Sequence, residues 1–485
     1  MNKLNRSLSV LLVLIMLLTC SVSFTANAVT EEEWNAAWAA NTVDREAAVM
    51  MTPGSDGTER YISWYSDSDT GYVVLITPPL GADIRYNASA KATPQGDYRL
   101  CAVVDGLDPE KEYQYFCKSG DWQSETYTIA AEGKDSAFTA LYVTDIHVNK
   151  SKLENDIEGS IRYTAYNFDT TLETAVSKAK SNGKTLDLVI SAGDQASYGR
   201  RDEYVGVTAN GYTKEIPFAT SIGNHDRKSV DYRFFTFQPN TADDMFTKSY
   251  VGTDYWFVKG DVLFLMMDSN NTSMGDHRNF VAAAVEANPN IKWRVAVFHH
   301  DLHGGRIESR ESENEFLRLM WAPLADEFGF DLCLLGHSHY YTISNVMYNN
   351  KTVSATENGG KVTDAKGTIY MVSGSINNPR TDADGLGENI GHSVLTEEKI
   401  YNLIDFSKDS IVINSYTIES DECVGSLTIS KTTNEGGHSY SSPMSWLNKV
   451  VDVIGAIANI ISNIGRYYDN TQLGFDIPLF DGILG

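Results

Sequence analysis

Five short apolar runs in this chain each end on a small group of Asp, Asn or His side chains. Residues 138–143 lead to Asp145 and His147, residues 186–190 to Gly193 and Asp194, and residues 216–222 to Gly223, Asn224, His225 and Asp226. Residues 293–298 run into His299 and His300, and residues 332–335 into Gly336, His337 and His339. Apolar runs of this length predict buried strands. Phe168, Leu172, Val176 and Ala179 fall at helical spacing and stop at Asn182 and Gly183, and Phe316, Met320, Leu324 and Phe328 mark a second helix face. Residues 262–267 and 368–372 read as further strands. Strand and helix in alternation predict an α/β domain over about 136–420, and open α/β sheets place ligands beyond the carboxyl ends of their strands.

One histidine in a loop is more often a surface or capping residue than a ligand. Asp194 alone could belong to a turn, and His299 and His300 could be a strand end. That reading has to account for five clusters in order, each at a strand end, and it does not. Two metal ions about 3.5–4 Å apart need a bridging carboxylate together with imidazole and oxygen ligands for each ion. Histidines two apart, His337 and His339, can serve two ions from one turn, and Asp145 and His147 share that spacing. The glycines before Asp194, Asn224 and His337 let the backbone leave the strand end sharply.

Asp145 and His147, Gly193 and Asp194, Gly223 to Asp226, His299, and Gly336 to His339, in that order, make the chain resemble the calcineurin-like metallophosphoesterases over roughly residues 44–420. A small all-β module before them resembles the purple acid phosphatase branch. The resemblance implies an α/β fold, a four-layer α/β/β/α sandwich preceded by a small all-β, fibronectin III-like sandwich. It implies a binuclear site in which Asp145, His147, Asp194 and His339 hold the first ion and Asp194 bridges. Asn224, His299 and His337 hold the second. His299 fits the ligand position better than His300. The ions are Fe, Mn or Zn, since oxygen and nitrogen ligands suit all three. The implied chemistry is attack of a metal-activated hydroxide on a phosphate monoester, with His225 protonating the leaving oxygen and Asp226 orienting its ring and raising its pKa. Phosphodiester, nucleotide or pyrophosphate hydrolysis on the same metal core is the alternative, and a non-catalytic cell-surface binding protein a second one. His300, His303, Arg306 and Arg380 are weaker candidates for the substrate face. Two residues depart from the purple members: Ser197 stands where they carry a tyrosine, with Tyr198 one place on, and His147 is a histidine they lack. Iron–tyrosinate chemistry is therefore not expected.

The remaining segments read as follows. Residues 1–28 read as a signal peptide: Lys3 and Arg6, then an apolar run too short to span a bilayer, then Ala26 and Ala28 at a small-x-small cleavage site. A lipid anchor on Cys20 is disfavoured by Thr19 before it. The expectation is a secreted or cell-surface protein cleaved near Ala28, leaving roughly 457 residues, enough for two or three domains. Loss of Lys3 and Arg6 takes the formal charge from −25 to −27. A surface so acidic repels nucleic acid and anionic membranes, so a small phosphate ester must be attracted locally. Residues 29–134 read as the all-β module, 135–425 as the catalytic domain and 426–443 as a polar linker. Within 444–485, Leu447, Val450, Val451, Ile454, Ile457, Ile461 and Ile464 form a helical stripe. Docking on its own protein is the favoured reading of that stripe over membrane contact or oligomerisation. Cys101 and Cys117 could pair across neighbouring strands in an oxidising compartment, or stay free and buried.

Overall fold

The computed structural model describes residues 30–40, 44–77, 83–132, 137–151, 153, 156–242, 252–304, 311–382, 387 and 389–433, with 453, 456 and 457. The expected signal peptide, Arg306 and nearly all of the expected C-terminal helix and tail lie outside these residues. Among the described residues no helix is long and apolar enough to cross a membrane.

The N-terminal module is a β-sandwich. One sheet orders Met50–Pro53, Arg60–Ser66, Tyr98–Val104 and Ser89–Ala92; the other is built on Tyr72–Ile76 and Tyr113–Ser119. Ile62, Trp64, Val73, Leu75, Leu100, Ala102 and Tyr115 fill the space between them. Cys101 and Cys117 stand on different sheets and are free, buried thiols, so the considered disulfide does not form. A short helix, α1 (Glu31–Ala40), precedes the sandwich but packs on the other domain, with Trp34 edge-on to Tyr163 at 4.9 Å. Its weak amphipathic pattern gave no sequence signal.

The second domain has two seven-stranded sheets face to face. In chain order its main elements are β1 (Phe138–Val143), α2 (Ile157–Ser181), β2 (Leu188–Ser191), β3 (Phe218–Thr220), β4 (Tyr255–Lys259), β5 (Val262–Met266), α3 (Met274–Ala287), β6 (Trp293–Val297), α4 (Glu311–Phe328) and β7 (Leu332–Leu335). They continue with β8 (Tyr341–Ser344), β9 (Gly360–Thr363), β10 (Ile369–Ser373), β11 (Ile390–Val394), β12 (Ile400–Phe406), β13 (Ser410–Thr417) and β14 (Cys423–Ser430). The sheets run β3-β2-β1-β12-β13-β14-β9 and β4-β5-β6-β7-β10-β8-β11.

Strand periodicity sorts the side chains into layers. Along β1, Ala140 and Tyr142 enter the core between the sheets, while Leu141 and Val143 meet Phe168 and Leu172 of α2. Along β5, Val262, Phe264 and Met266 face the inter-sheet core, and Leu263 and Leu265 face α3 and α4 through Phe280, Trp321 and Leu324. Three apolar cores thus lie between four layers, α/β/β/α. The parallel trios β1-β2-β3 and β5-β6-β7 run to the same kind of edge, and all five clusters sit just past it. β14 runs through the start of the stretch expected to be linker from 426. Its Ser, Thr and Gly content reads as polar, but Leu427 and Ile429 alternate into the inter-sheet core.

Candidate metal centre

Each cluster leaves its strand through strained backbone. Asp145, His147, Asp194, His337 and His339 all have positive φ, between 49° and 74°. For residues other than glycine this costs about 1–2 kcal/mol each, and such strain gathers where side-chain placement matters more than stability. Of the three glycines expected to turn sharply, only Gly193 does, at φ 104°. Gly223 and Gly336 serve close approach instead. A Cβ on Gly223 would lie 2.0 Å from Asp194 Oδ1, and one on Gly336 would lie 2.1 Å from Thr144 Oγ1.

Two carboxylates are divided between scaffold and centre. Asp145 Oδ2 accepts the backbone N–H of His337 and the Thr144 hydroxyl, both at 2.9 Å. Its Oδ1 faces His339 Nε2 at 3.1 Å and His147 Nε2 at 3.6 Å. Asp194 Oδ1 accepts the backbone N–H of His225 at 2.8 Å. Its Oδ2 lies 3.6 Å from His147 Nε2 and 3.3 Å from His299 Nε2, between the two groups of histidines. Asn224 Oδ1 completes the second group, 3.0 Å from His299 Nε2 and 3.1 Å from His337 Nδ1. All seven expected ligands are buried and converge here, and His299, not His300, is the one that reaches Asp194.

Tautomers are set from behind. His299 Nδ1–H donates to the Ala192 carbonyl at 3.0 Å and His339 Nδ1–H to that of Asn378 at 2.8 Å. Each therefore presents an Nε2 lone pair to the centre. His147 and His339 Nε2 stand 3.2 Å apart. Acceptor atoms packed this closely, next to two buried carboxylates, call for cations. The electrostatics agree. Burial disfavours charge on His299, yet Asp194, hydrogen-bonded to it, and then Asp145 outweigh that and raise its pKa to about 9. Burial alone would also raise Asp145 and Asp194. The imidazoles, His339 first for Asp145 and His299 first for Asp194, hold both well below the usual carboxylate range. The donor set of carboxylate oxygens, an amide oxygen and imidazole nitrogens suits Fe, Mn or Zn.

Asp226 does not do what its place beside His225 suggested. Its buried carboxylate turns away from the imidazole and accepts the backbone N–H groups of Asp194 at 2.7 Å, Gly223 at 2.9 Å and Ala196 at 3.3 Å, and the Tyr204 hydroxyl at 3.1 Å. It ties the Asp194 loop to the Asn224 loop. The His225 ring is fixed by its Nδ1–H, which donates to the Ser197 carbonyl at 2.6 Å, and its Nε2 lies 4.0 Å from Asp194 Oδ2. Burial holds this imidazole below its ordinary pKa, with Asp194 opposing, so the expected upward shift is not found.

The weaker candidates separate. His300 is buried behind the second group, Nδ1 2.8 Å from Ser269 Oγ. His303 is buried with its ring against Tyr370 at 4.8 Å, so it faces the helix layer and not a phosphate. Arg380 is half-buried on the loop that carries Asn378, and its charge acts on Lys150. Tyr198 is 55% exposed; it projects from the rim and supplies no ligand to the buried cluster. Sequence reasoning missed Glu313, whose Oε1 is 3.6 Å from His337 Nε2 and which with His300 and His337 forms a further compact group. It opens α4 with no motif around it.

A four-layer α/β/β/α sandwich with clustered Asp, Asn and His ligands at its strand ends, behind an N-terminal β-sandwich, defines a metallophosphoesterase. Residues 138–341 match the family model of the calcineurin-like phosphoesterases, and this part of the chain is a calcineurin-like phosphoesterase domain. Among solved structures the chain is similar to purple acid phosphatase PPD1 isolated from yellow lupin (Lupinus luteus) seeds, with a TM-score of 0.63 at 14% identity, covering 81% of this chain and 77% of that one. It is also similar to PhoD, with a TM-score of 0.52 at 11% identity, covering 87% and 98%. At such identities the likeness is one of fold. No curated protein matches the sequence.

Proposed function

We propose that this chain is a secreted phosphomonoesterase with a binuclear metal centre. The observation that carries the reading is Asp194 Oδ2, placed between His147 and His299 with each group of ligands completed on its own side. Asp145, His147 and His339 would hold one ion with Asp194, and Asn224, His299 and His337 the other. Bound there, such ions supply a water acidified toward neutrality and positive charge against the phosphoryl oxygens. The chain's own residues do the rest. Asp226 keeps the Asp194 and Asn224 loops in register, the Ala192 and Asn378 carbonyls orient His299 and His339, and the exposed edge of His225 delivers a proton to the leaving oxygen. The likeness in fold to a purple acid phosphatase supports the monoester reading, and the apolar run before Ala28 supports secretion.

The test is hydrolysis of a panel of nitrophenyl monoesters and diesters by full-length protein, with and without chelator. Monoester turnover that chelator abolishes and added Mn, Zn or Fe restores is the expected result. Faster diester turnover would overturn the monoester assignment, and no turnover with any metal would overturn the enzymatic one.

A further inference from the structure

The ring of His225 is only as well placed as the segment that holds it. Its Nδ1–H donates to the Ser197 carbonyl at 2.6 Å. Lys228 Nζ also lies 2.9 Å from that nitrogen, but an ammonium only donates, so the acceptor for the Nδ1–H is the carbonyl. Residues 197–200 rest on the loop that carries His225. Gly199 has φ 69°, and a Cβ there would stand 2.8 Å from the Asp226 carbonyl oxygen and 3.2 Å from that of His225. One carboxylate holds the amides on both sides of Gly199: Glu203 Oε2 accepts the backbone N–H of Tyr198 at 2.9 Å and that of Arg200 at 3.1 Å. Glu203 Oε1 accepts the side-chain amide of Asn149 at 2.8 Å, from the turn that presents His147. Helix capping explains only part of this. Glu203 is the third residue of the short helix Arg201–Val207, and its bond to the Arg200 N–H is the return half of a capping box. The bonds to Tyr198 and Asn149 lie outside that motif. Arg200 Nη2 stands 3.7 Å away, too far for a hydrogen bond. Glutamates are seldom fully buried, yet this side chain is. Burial raises its carboxyl pKa, with the hydrogen bonds from Asn149, Arg200 and Tyr198 opposing. Capping a surface helix does not require that cost; holding three donors from two rim segments does.

We propose that Glu203 is a positioning residue for the proton donor: by holding the amides on both sides of Gly199 it fixes the Ser197 carbonyl, and through that carbonyl the tautomer and direction of His225. The proposal rests on the phosphohydrolase reading, with His225 as the donor, and deepens it. With its Nδ1–H engaged by Ser197, the proton that the imidazolium can give is the one on Nε2. The bond from phosphorus to the leaving oxygen breaks with its electron pair, that oxygen takes the Nε2 proton, and the ring is left neutral with its hydrogen on Nδ1. This is the tautomer that the Ser197 carbonyl stabilises. A carbonyl free to swing would stabilise neither the ring's direction nor that tautomer. Glu203 touches neither substrate nor metal ligand and acts only through the segment it holds.

The test places Glu203→Ala and Glu203→Gln in full-length, metal-loaded protein, each alone and together with His225→Ala. Glu203→Ala should keep the wild-type metal content by elemental analysis and lose about 10-fold or more on an alkyl phosphate relative to nitrophenyl phosphate, because only the poor leaving group needs the proton. With His225→Ala already present, it should cause no further selective loss. Glu203→Gln keeps the volume and an oxygen for the flanking amides, so its selective loss should be smaller, about threefold for the charge removed from those bonds; this variant carries the test if Glu203→Ala does not fold. Nuclear magnetic resonance gives a readout apart from turnover. In zinc-loaded protein with 15N-labelled histidine, the His225 Nδ1–H signal should be protected from exchange in the wild type and lost in the variants. Equal losses on the two substrates, losses that add to those of His225→Ala, or an unchanged Nδ1–H signal would overturn the proposal and leave Glu203 a helix cap. Loss of metal would place its action on His147 instead and overturn it as well. Absence of turnover in the wild type would overturn the phosphohydrolase reading beneath it, while the Nδ1–H signal still reports whether Glu203 holds His225.

Discussion

Asp194 divides its two oxygens between duties, and that division makes its chemistry testable. Oδ1 is held by the His225 backbone N–H, while Oδ2 stands between His147 and His299. Asp194→Asn keeps the size of the side chain and removes its charge. Because changes one shell further out already cost about 10–100-fold in metal affinity, this one should cost more than about 100-fold and abolish turnover. Elemental analysis of the purified variant should find fewer than two ions per chain; two tightly held ions would remove Asp194 from the ligand set. His225 belongs to a different category. Its ring is positioned by the Ser197 carbonyl and its side chain is 24% exposed, as a proton donor to substrate requires. His225→Ala should keep its metal and lose more activity on an alkyl phosphate than on nitrophenyl phosphate, by about 10-fold or more, because general acid catalysis contributes about 10²–10⁴-fold where the leaving group is poor. Equal losses on the two substrates, with metal intact, would make His225 a positioning residue.

At the scale of elements, the β-sandwich and the catalytic domain are joined by polar contacts. The Arg201 guanidinium donates to both Asp97 oxygens, at 2.8 and 2.5 Å, and stacks on Tyr65 at 3.9 Å. The fully buried Arg99 of the sandwich donates to the Phe235 carbonyl at 3.1 Å, and the Tyr115 hydroxyl to that of Lys214 at 2.5 Å. Burial raises the Asp97 pKa, but hydrogen bonds from Arg201 and then Thr93 lower it by more, so the net shift is downward. A carboxylate whose folded pKa is depressed contributes stability that is fully present above its unfolded value. That stability is lost as pH falls through the folded one. Asp97→Asn should therefore cost about 1–2 kcal/mol at neutral pH, for one charge-assisted pair at a partly buried site, and the cost should fade below about pH 4, near the ordinary Asp value. Urea titrations at pH 7 and at the lowest pH where the fold persists would show it. A cost that does not change with pH would place the contribution in packing.

For the whole molecule, five positive-φ residues and two buried carboxylates make the strand-end rim the place where the fold gives up stability. Ligands that bind only the native state return it, about 4 kcal/mol when a ligand is present at 1,000 times its Kd. Stripping the protein with chelator should lower the calorimetric Tm by several degrees, and restoring metal should recover it. An unchanged Tm in protein shown by elemental analysis to be metal-free would mean that the cluster is held by the scaffold without help from ions.

Much of this was legible from local pattern. Apolar runs marked β1, β5, β6 and β7, helical spacing marked α2 and α4, and the seven ligand types stood in order at strand ends, because a parallel sheet forces its chemistry to one edge. The sequence by itself determined the alternation of strands and helices and the clusters of Asp, Asn and His at strand ends, since both follow from residue type and spacing along a single element; the layer count and the ligand assignments came from the family those motifs resemble. What only the tertiary structure decided depends on segments far apart in the chain. It set His299 against Asp194 and Asn224, because that is a matter of three loops meeting. It turned Asp226 from partner of His225 into a clamp on the Asp194 loop, because backbone N–H donors leave no trace in a sequence. It carried β14 past residue 426, since alternation of Leu427 and Ile429 has meaning only once β13 lies alongside.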